Sequence, residues 1–407
     1  MKPADISSGK EGRVASDREK EGGENVQNKK RKRKKNRKKN LKAKIFATAV
    51  VLTASVGLFF MLLYAFGGAR LRASAETSSP DVSLMTQEDT AEEIRKAAGL
   101  ETVQWQEDWI ALDGKVYSYD DSCINLLVLG IDKEGKLSGE ADYEKWKAGQ
   151  ADAIFVVSIN PTEEEINILG IPRNTMMDID VYDKESHVAE TLFDAACLQY
   201  PYAGGGKSGL EVTKEKVSAL LYGLPLHGAF AVGYDAVAVV NDMAGGVDVT
   251  ALETLNTPYG NYEEGEKLHL EGEFVLAYVK ARNMEILGSP TMRLERQKQY
   301  LTALLAKVKE EVRKNPAAVG KMYSAVSEYM VTDVTLDKAV YLAAQAAGYQ
   351  FDGSAVRLLQ GEDKAAPIMK DGVETGDYYN EYYLDEESLK RTMTEVFYTE
   401  VVLGGQE

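Results

Sequence analysis

Apolar residues along this chain fall into three kinds of run, and each predicts different surroundings. From Ile45 to Gly68 no residue is charged, and Phe46, Val50, Val51, Leu52, Leu58 and Leu62 are among its apolar positions. About 20 such residues suffice to cross a bilayer as a helix, so one transmembrane helix is predicted. Cys123 to Gly130 (CINLLVLG) is apolar at nearly every position, which suits a central strand covered on both faces. Ala153 to Ile159 and Ile166 to Ile171 predict two more strands joined by the polar turn Asn-Pro-Thr-Glu-Glu-Glu, and Ala229 to Val232 and Val247 to Val249 add shorter ones.

The third kind of run has helical spacing. It covers Leu210 to Leu221, Tyr234 to Met243 closed by Gly245-Gly246, Glu273 to Val279, and Arg293 to Val312 with Leu294, Tyr300, Leu301, Leu304, Leu305 and Val308. Residues 315–350 predict two helices around the link VTDVT, and 351–367 a strand-containing return. The end predicts an amphipathic helix behind an Asp-Glu-Glu first turn. Helices alternating with strands in this way predict an α/β domain, a mixed central sheet flanked by helices in a three-layer core, preceded by the one transmembrane helix.

Charge divides the chain more sharply than its net value of −16 suggests, because residues 1–44 hold 17 Lys and Arg against 6 Asp and Glu. That tail has too few apolar residues to offset ordering entropy and is expected to be disordered. Positive charge before the span predicts a cytoplasmic N-terminus and an extracytoplasmic folded domain. The basic run 29–44 then faces anionic membrane lipid; nothing resembles a DNA-binding motif and the folded part is acidic, so no nucleic-acid partner is expected. The expected divisions are a basic tail (1–44), the span (45–68), a polar stalk (69–92), a catalytic or binding domain (93–314) and a C-terminal helical extension packed on or following it (315–407).

Candidate chemistry gathers at strand ends, where ligands usually bind in α/β sheets. Asp132 follows the first central strand, Asp152 precedes the second, and Arg173 follows the third. Lys280, Arg282, Arg293, Arg296 and Gln297 add a polar, mostly basic cluster. The planar fork of arginine matches pyrophosphate oxygens, and carboxylates suit Mg²⁺ bridging between those oxygens.

Competing sites are weaker. The run Tyr202 to Ser208 has Pro201 where a phosphate loop requires its first glycine, so a glycine-rich turn or lid is expected. His187, His227 and His269 lack zinc-ligand spacing and read as surface or packing residues. Cys123 and Cys197 leave open a disulfide or two buried thiols. Trp105 and Trp109 suit packing, while Tyr378, Tyr379, Tyr382 and Tyr383 offer an accessory glycan surface.

The runs NLLVLGID (125–132), QADAIFVVSINP (150–161), ILGIPRNT (168–175), NDMAGGVDV (241–249), LEGEFVLAYVKAR (270–282) and MRLERQKQYL (292–301), in this order, resemble the LytR-CpsA-Psr family of envelope glycopolymer transferases. The resemblance implies that Asp132 and Asp152 hold Mg²⁺, with Asp132 and Arg173 catalytic. Arg173, Lys280, Arg282, Arg293 and Gln297 would grip the pyrophosphate of a polyprenyl-linked glycan. It further implies a bacterial cell-membrane protein that transfers the glycan to peptidoglycan, with polyprenyl pyrophosphate as leaving group. Against the family pattern, Gln150 stands for an Arg, Asn174 for an Asp and Lys280 for an Arg, and residues 289–292 contain no Asp. These departures suggest as an alternative a binding or regulatory protein on the same scaffold; a lipid pyrophosphate hydrolase, which needs only water as acceptor, is a further one.

Overall fold

The computed structural model describes residues 64–402 apart from 65, 72, 74–78, 87–90, 93, 95, 97–104, 144–146, 259, 282–288, 350, 352 and 371–372. The basic tail and nearly all of the expected span lie outside the described residues, as does part of the stalk. Among the described residues no helix is long and apolar enough to cross a membrane.

A hairpin of β1 (Trp109–Leu112) and β2 (Lys115–Tyr119) precedes the central strands β3 (Ile124–Ile131), β4 (Ala151–Asn160) and β5 (Glu165–Ile171). Next come a second hairpin, β6 (Met176–Tyr182) and β7 (Val188–Ala195), then α1 (Gly206–Leu220), β8 (Gly228–Gly233) and α2 (Tyr234–Met243). Short strands β9 (Val247–Thr250), β10 (Leu255–Thr257), β11 (Gly260–Tyr262) and β12 (Lys267–Leu270) lead to α3 (Glu273–Lys280) and the long α4 (Ser289–Lys314). The remainder is α5 (Ala318–Val326), β13 (Met330–Thr332), α6 (Leu336–Gly348), β14 (Val356–Leu358), β15 (Gly361–Lys370), β16 (Val373–Leu384), α7 (Glu386–Phe397) and β17 (Tyr398–Glu400).

The central sheet has the order β13-β8-β3-β4-β5-β14. It is mixed, because β3 pairs parallel with β8 but antiparallel with β4. Alternation along β3 sends Leu127, Leu129 and Ile131 into one layer with Leu210 and Val217 of α1 and Met393 and Phe397 of α7. Leu126 points the other way, into a layer with Tyr341 and Leu342 of α6, and Leu301 and Leu305 of α4 pack against it. Each such side chain, fully buried, contributes about 1.5–3 kcal/mol, which is why a run apolar at both parities becomes the middle strand. A third cluster joins Val247, Leu270, Val275, Tyr278 and Tyr300 beneath α3 and α4.

Residues 315–407, expected to be a helical extension packed on or following the domain, hold the helices α5, α6 and α7 and also complete the sheet. β13 pairs antiparallel with β8 and β14 parallel with β5, so both sheet edges come from this segment. Each of these strands spans three residues, too few for alternation to reveal its place in the sheet, although β14 falls within the strand-containing return expected over 351–367. Part of the expected stalk also belongs to the domain: Asp81 caps a helical turn over Val82–Met85, and the buried Met85 accepts a hydrogen bond from the Tyr398 hydroxyl at 3.3 Å.

Candidate functional site

Strand directions alone bring the first three candidates together. β3 runs antiparallel to β4, and β4 to β5, so the end of β3, the start of β4 and the end of β5 share one edge. The β3–β4 register shifts between Gly130 and Ile131, and Gly130 sits so close to Ala153 that an added Cβ would lie 3.0 Å from its methyl. Such an irregularity re-aims the residues after it. The Asp132 and Asp152 amides both donate to the Gln150 carbonyl, at 2.8 and 3.1 Å.

Arg173 fills this corner. Its guanidinium pairs with the Asp152 carboxylate, donates to the Gln150 side-chain oxygen, and approaches Cys197 Sγ at 3.4 Å. Its Nε–H is shielded from water and has no hydrogen-bond partner among the described residues. Burial opposes the charge on Arg173, but Cys197 and Asp152 outweigh it and hold the group above its ordinary value. Arg293, on α4, reaches the other oxygen of Asp152 at 3.8 Å. The Tyr234 hydroxyl, at the start of α2, stands 3.4 Å from that same oxygen. Burial first, then the charges of Asp152 and Asp132, push this phenol strongly up, so it remains a donor facing two carboxylates.

Lys280 closes α3 and holds its ammonium 3.5 Å from the centre of the Tyr234 ring. Gln297 lies one helical turn beyond Arg293 on the same face of α4, its amide 3.5 Å from the Val279 carbonyl. Arg173, Arg293 and Gln297 line a cavity of about 190 Å³ closed by Leu358, Asn380 and Tyr382. A second cavity, of about 710 Å³, is lined by Tyr234, Lys280, Thr257, Leu276 and Ala277. Arg282 lies outside the described residues.

Arg296, part of the predicted cluster, turns away from this site. It pairs with Glu253 and donates to the carbonyls of Tyr278 and Ala281, tying α4 to the end of α3. The glycine run before Lys207 is likewise structural. The Gly206 amide donates to the Tyr200 hydroxyl at 3.0 Å and that of Lys207 to the Gly139 carbonyl at 3.2 Å. A Cβ on Gly206 would lie 2.7 Å from the Glu140 carbonyl oxygen, so the run packs against a neighbouring loop. Cys123 and Cys197 are both free and buried. Buried His227 accepts the Asn125 amide proton at 3.1 Å, and Trp105 meets Trp109 edge-on at 5.7 Å.

Tyr234, Cys197, Asp363 and Asn380 were not among the predicted site residues, whereas Tyr382, which lines the cavity, belongs to the tyrosine set read as an accessory glycan surface. Tyr234 was within reach, since it follows β8, a strand parallel to β3 that ends at the same edge.

A mixed α/β domain with arginines and carboxylates converging at a strand-end corner defines the class, and the comparisons specify it. The LytR-CpsA-Psr family model (LytR_cpsA_psr) matches residues 82–396, and the chain belongs to this family. It is 28% identical over 217 residues to a polyisoprenyl-teichoic acid–peptidoglycan teichoic acid transferase TagU of Halalkalibacterium halodurans, covering 52% of this chain and 62% of that one. With the transferase TagV of Bacillus subtilis it shares 26% identity over 218 residues, 52% of each chain. The chain thus spans about half to three-fifths of these relatives. Among solved structures, protein gbs0355 from Streptococcus agalactiae shares the fold at a TM-score of 0.50 and 19% identity, covering 67% of this chain and 87% of that one.

Proposed function

We propose that this protein is a membrane-anchored, extracytoplasmic transferase that moves a glycopolymer from a polyprenyl pyrophosphate carrier to peptidoglycan. The observation that carries the reading is the convergence of Arg173 and Arg293 on Asp152, with one Arg173 donor still unpaired. A buried guanidinium with a spare N–H fits a site that takes up a further oxyanion. Membrane anchoring rests on the uncharged run 45–68 behind its basic tail. Polyprenyl pyrophosphate as donor carrier and peptidoglycan as acceptor extend what the relatives' names say of those proteins.

In this reading Arg173, Arg293 and Gln297 bind the pyrophosphate oxygens, and Lys280 adds positive charge beside them. The Tyr234 hydroxyl donates a hydrogen bond into the same corner and keeps its proton. Among the described residues no three His, Cys, Asp or Glu side chains converge on one point. Asp132 and Asp152 are nevertheless hard oxygen donors at one sheet edge, which suits Mg²⁺, an ion that commonly takes one or two carboxylates and leaves its other positions to phosphate and water. Bound there, Mg²⁺ would neutralise the charge that develops on the leaving pyrophosphate.

A second reading, a binding or regulatory protein without efficient transfer, is favoured by the absence of Asp from residues 289–292 and by Lys280 in place of a forked side chain. The full-length chain in detergent, given a polyprenyl pyrophosphoryl oligosaccharide, Mg²⁺ and peptidoglycan fragments, separates the readings by mass spectrometry of products. Transfer that falls roughly 100-fold in Arg173→Ala supports the enzyme. Binding without product supports the second reading, and release of free oligosaccharide to water identifies a hydrolase.

A further inference from the structure

We propose that the cavity-facing side of the β15–β16 hairpin, from Tyr382 through Asn380 to Tyr378, is a saccharide subsite that seats the uncharged glycan strand of the acceptor. The inference rests on the transferase reading and specifies where its second substrate lies.

The hairpin is joined to the site by backbone. The Tyr382 amide donates to the Asn174 carbonyl at 2.9 Å, and Tyr382 forms a parallel bridge with Thr175, two residues beyond Arg173. Cross-strand register pairs Asp363 with Tyr382, Ala365 with Asn380, and Pro367 with Tyr378, so these six share one face. Asp363, Asn380 and Tyr382 line the cavity that contains Arg173 and Arg293, which identifies that face as the inner one. From Tyr382 it runs outward for about 13 Å, at roughly 3.3 Å per residue, to Tyr378. Tyr378 is 62% exposed although it is a large aromatic on a strand.

The two faces of the hairpin differ. On the outer face Glu381 accepts from the hydroxyls of both Tyr379 and Tyr383, at 2.8 and 2.7 Å. Lys364 covers the Tyr383 ring at 4.3 Å, and Phe193 of β7 lies 6.3 Å from it. That face is occupied by its own contacts. The inner face presents an aromatic plane at its far end and an amide held by a carboxylate midway, the Asn380 amide donating to Asp363 at 2.5 Å. Flat apolar area beside amide and carboxylate groups is the chemistry that takes the apolar face and hydroxyls of a sugar ring.

Charge selects among sugars. The six inner-face residues carry one carboxylate, Asp363, and no cation, while Arg173 and Arg293 line the cavity itself. Phosphates are drawn to the floor and repelled along the hairpin, so a phosphate-rich polymer is excluded there and an uncharged N-acetylated hexosamine strand is admitted.

The test uses the full-length chain in detergent and measures two affinities side by side, for a β-1,4-linked N-acetylglucosamine oligomer and for a short polyprenyl pyrophosphate. Tyr378→Ala is expected to weaken the oligomer roughly tenfold, Tyr378→Trp to retain it, and the outer-face variant Tyr379→Ala to match wild type. The polyprenyl pyrophosphate affinity should stay unchanged in all three. Oligomer binding that is absent in wild type, or equal in Tyr378→Ala, overturns the subsite while leaving the transferase reading intact if the lipid pyrophosphate binds. Failure of wild type to bind the lipid pyrophosphate instead overturns the reading on which the subsite rests.

Discussion

Arg173 and Arg296 are both arginines paired with a carboxylate, yet their surroundings give them different work. Arg296 is 1% exposed, and its guanidinium is satisfied by Glu253 and two carbonyls, so it holds α4 against α3. Removing one partner of such a pair leaves a buried charge uncompensated. Arg296→Met is therefore expected to cost about 3–5 kcal/mol in denaturant unfolding, far more than Arg173→Lys, which keeps a charge beside Asp152. A smaller loss for Arg296→Met than for Arg173→Lys would contradict that division.

His227 gives the residue scale a pH dependence. Burial pushes its imidazole down to about 4, whereas an unfolded histidine protonates near 6.5. The unfolded state therefore binds the proton first, so this contribution is complete above about pH 6.5 and is lost progressively as pH falls from 6.5 to 4, by at most about 3 kcal/mol. Thermal melts of His227→Asn, which keeps an acceptor near the Asn125 amide, are expected to show a flatter acid limb. An unaltered limb would assign the acid sensitivity elsewhere.

At the scale of elements, close approach decides where the chain enters the domain. Residues 64 and 66–71 are helical and lie on α6: a Cβ on Gly67 would collide with the Asp337 carbonyl oxygen, and one on Gly68 would stand 2.7 Å from the Tyr341 ring. The Tyr64 and Tyr341 rings lie 5.0 Å apart at a tilt of 44°, and Arg70 pairs with Asp337 at 3.4 Å. Only glycine permits this contact. Gly67→Val is expected to detach the segment and speed hydrogen exchange in α6 without changing exchange in β3. Equal exchange in α6 would mean that the contact contributes little. The sequence showed glycines at 67 and 68 but not what they would touch.

At the scale of the whole molecule, the segment after residue 314 is inseparable from the core. It supplies both edges of the central sheet, and Leu389, Met393 and Phe397 of α7 belong to the same cluster as Leu127 and Leu129 of β3. A chain ending at residue 314 would expose that cluster and lose β13 and β14. It is expected to be insoluble or to lack a cooperative melt. A cooperative melt from the shorter chain would show that it folds without this segment.

Local pattern by itself determined the central strands, the longer helices and which charged residues stand at their ends. Apolar runs have a period of their own, and a β3-β4-β5 meander necessarily brings Asp132, Asp152 and Arg173 to one edge. The family followed from the same motifs. Only the tertiary structure decided which arginine faces the cavity, because Arg293 and Arg296 are three residues apart on one helix and their roles depend on what each meets across it. It also decided the sheet edges and the hairpin wall. A three-residue strand has no legible period, and the inner and outer tyrosines of β16 become distinct only when Asn174 and Thr175 pair with Tyr382.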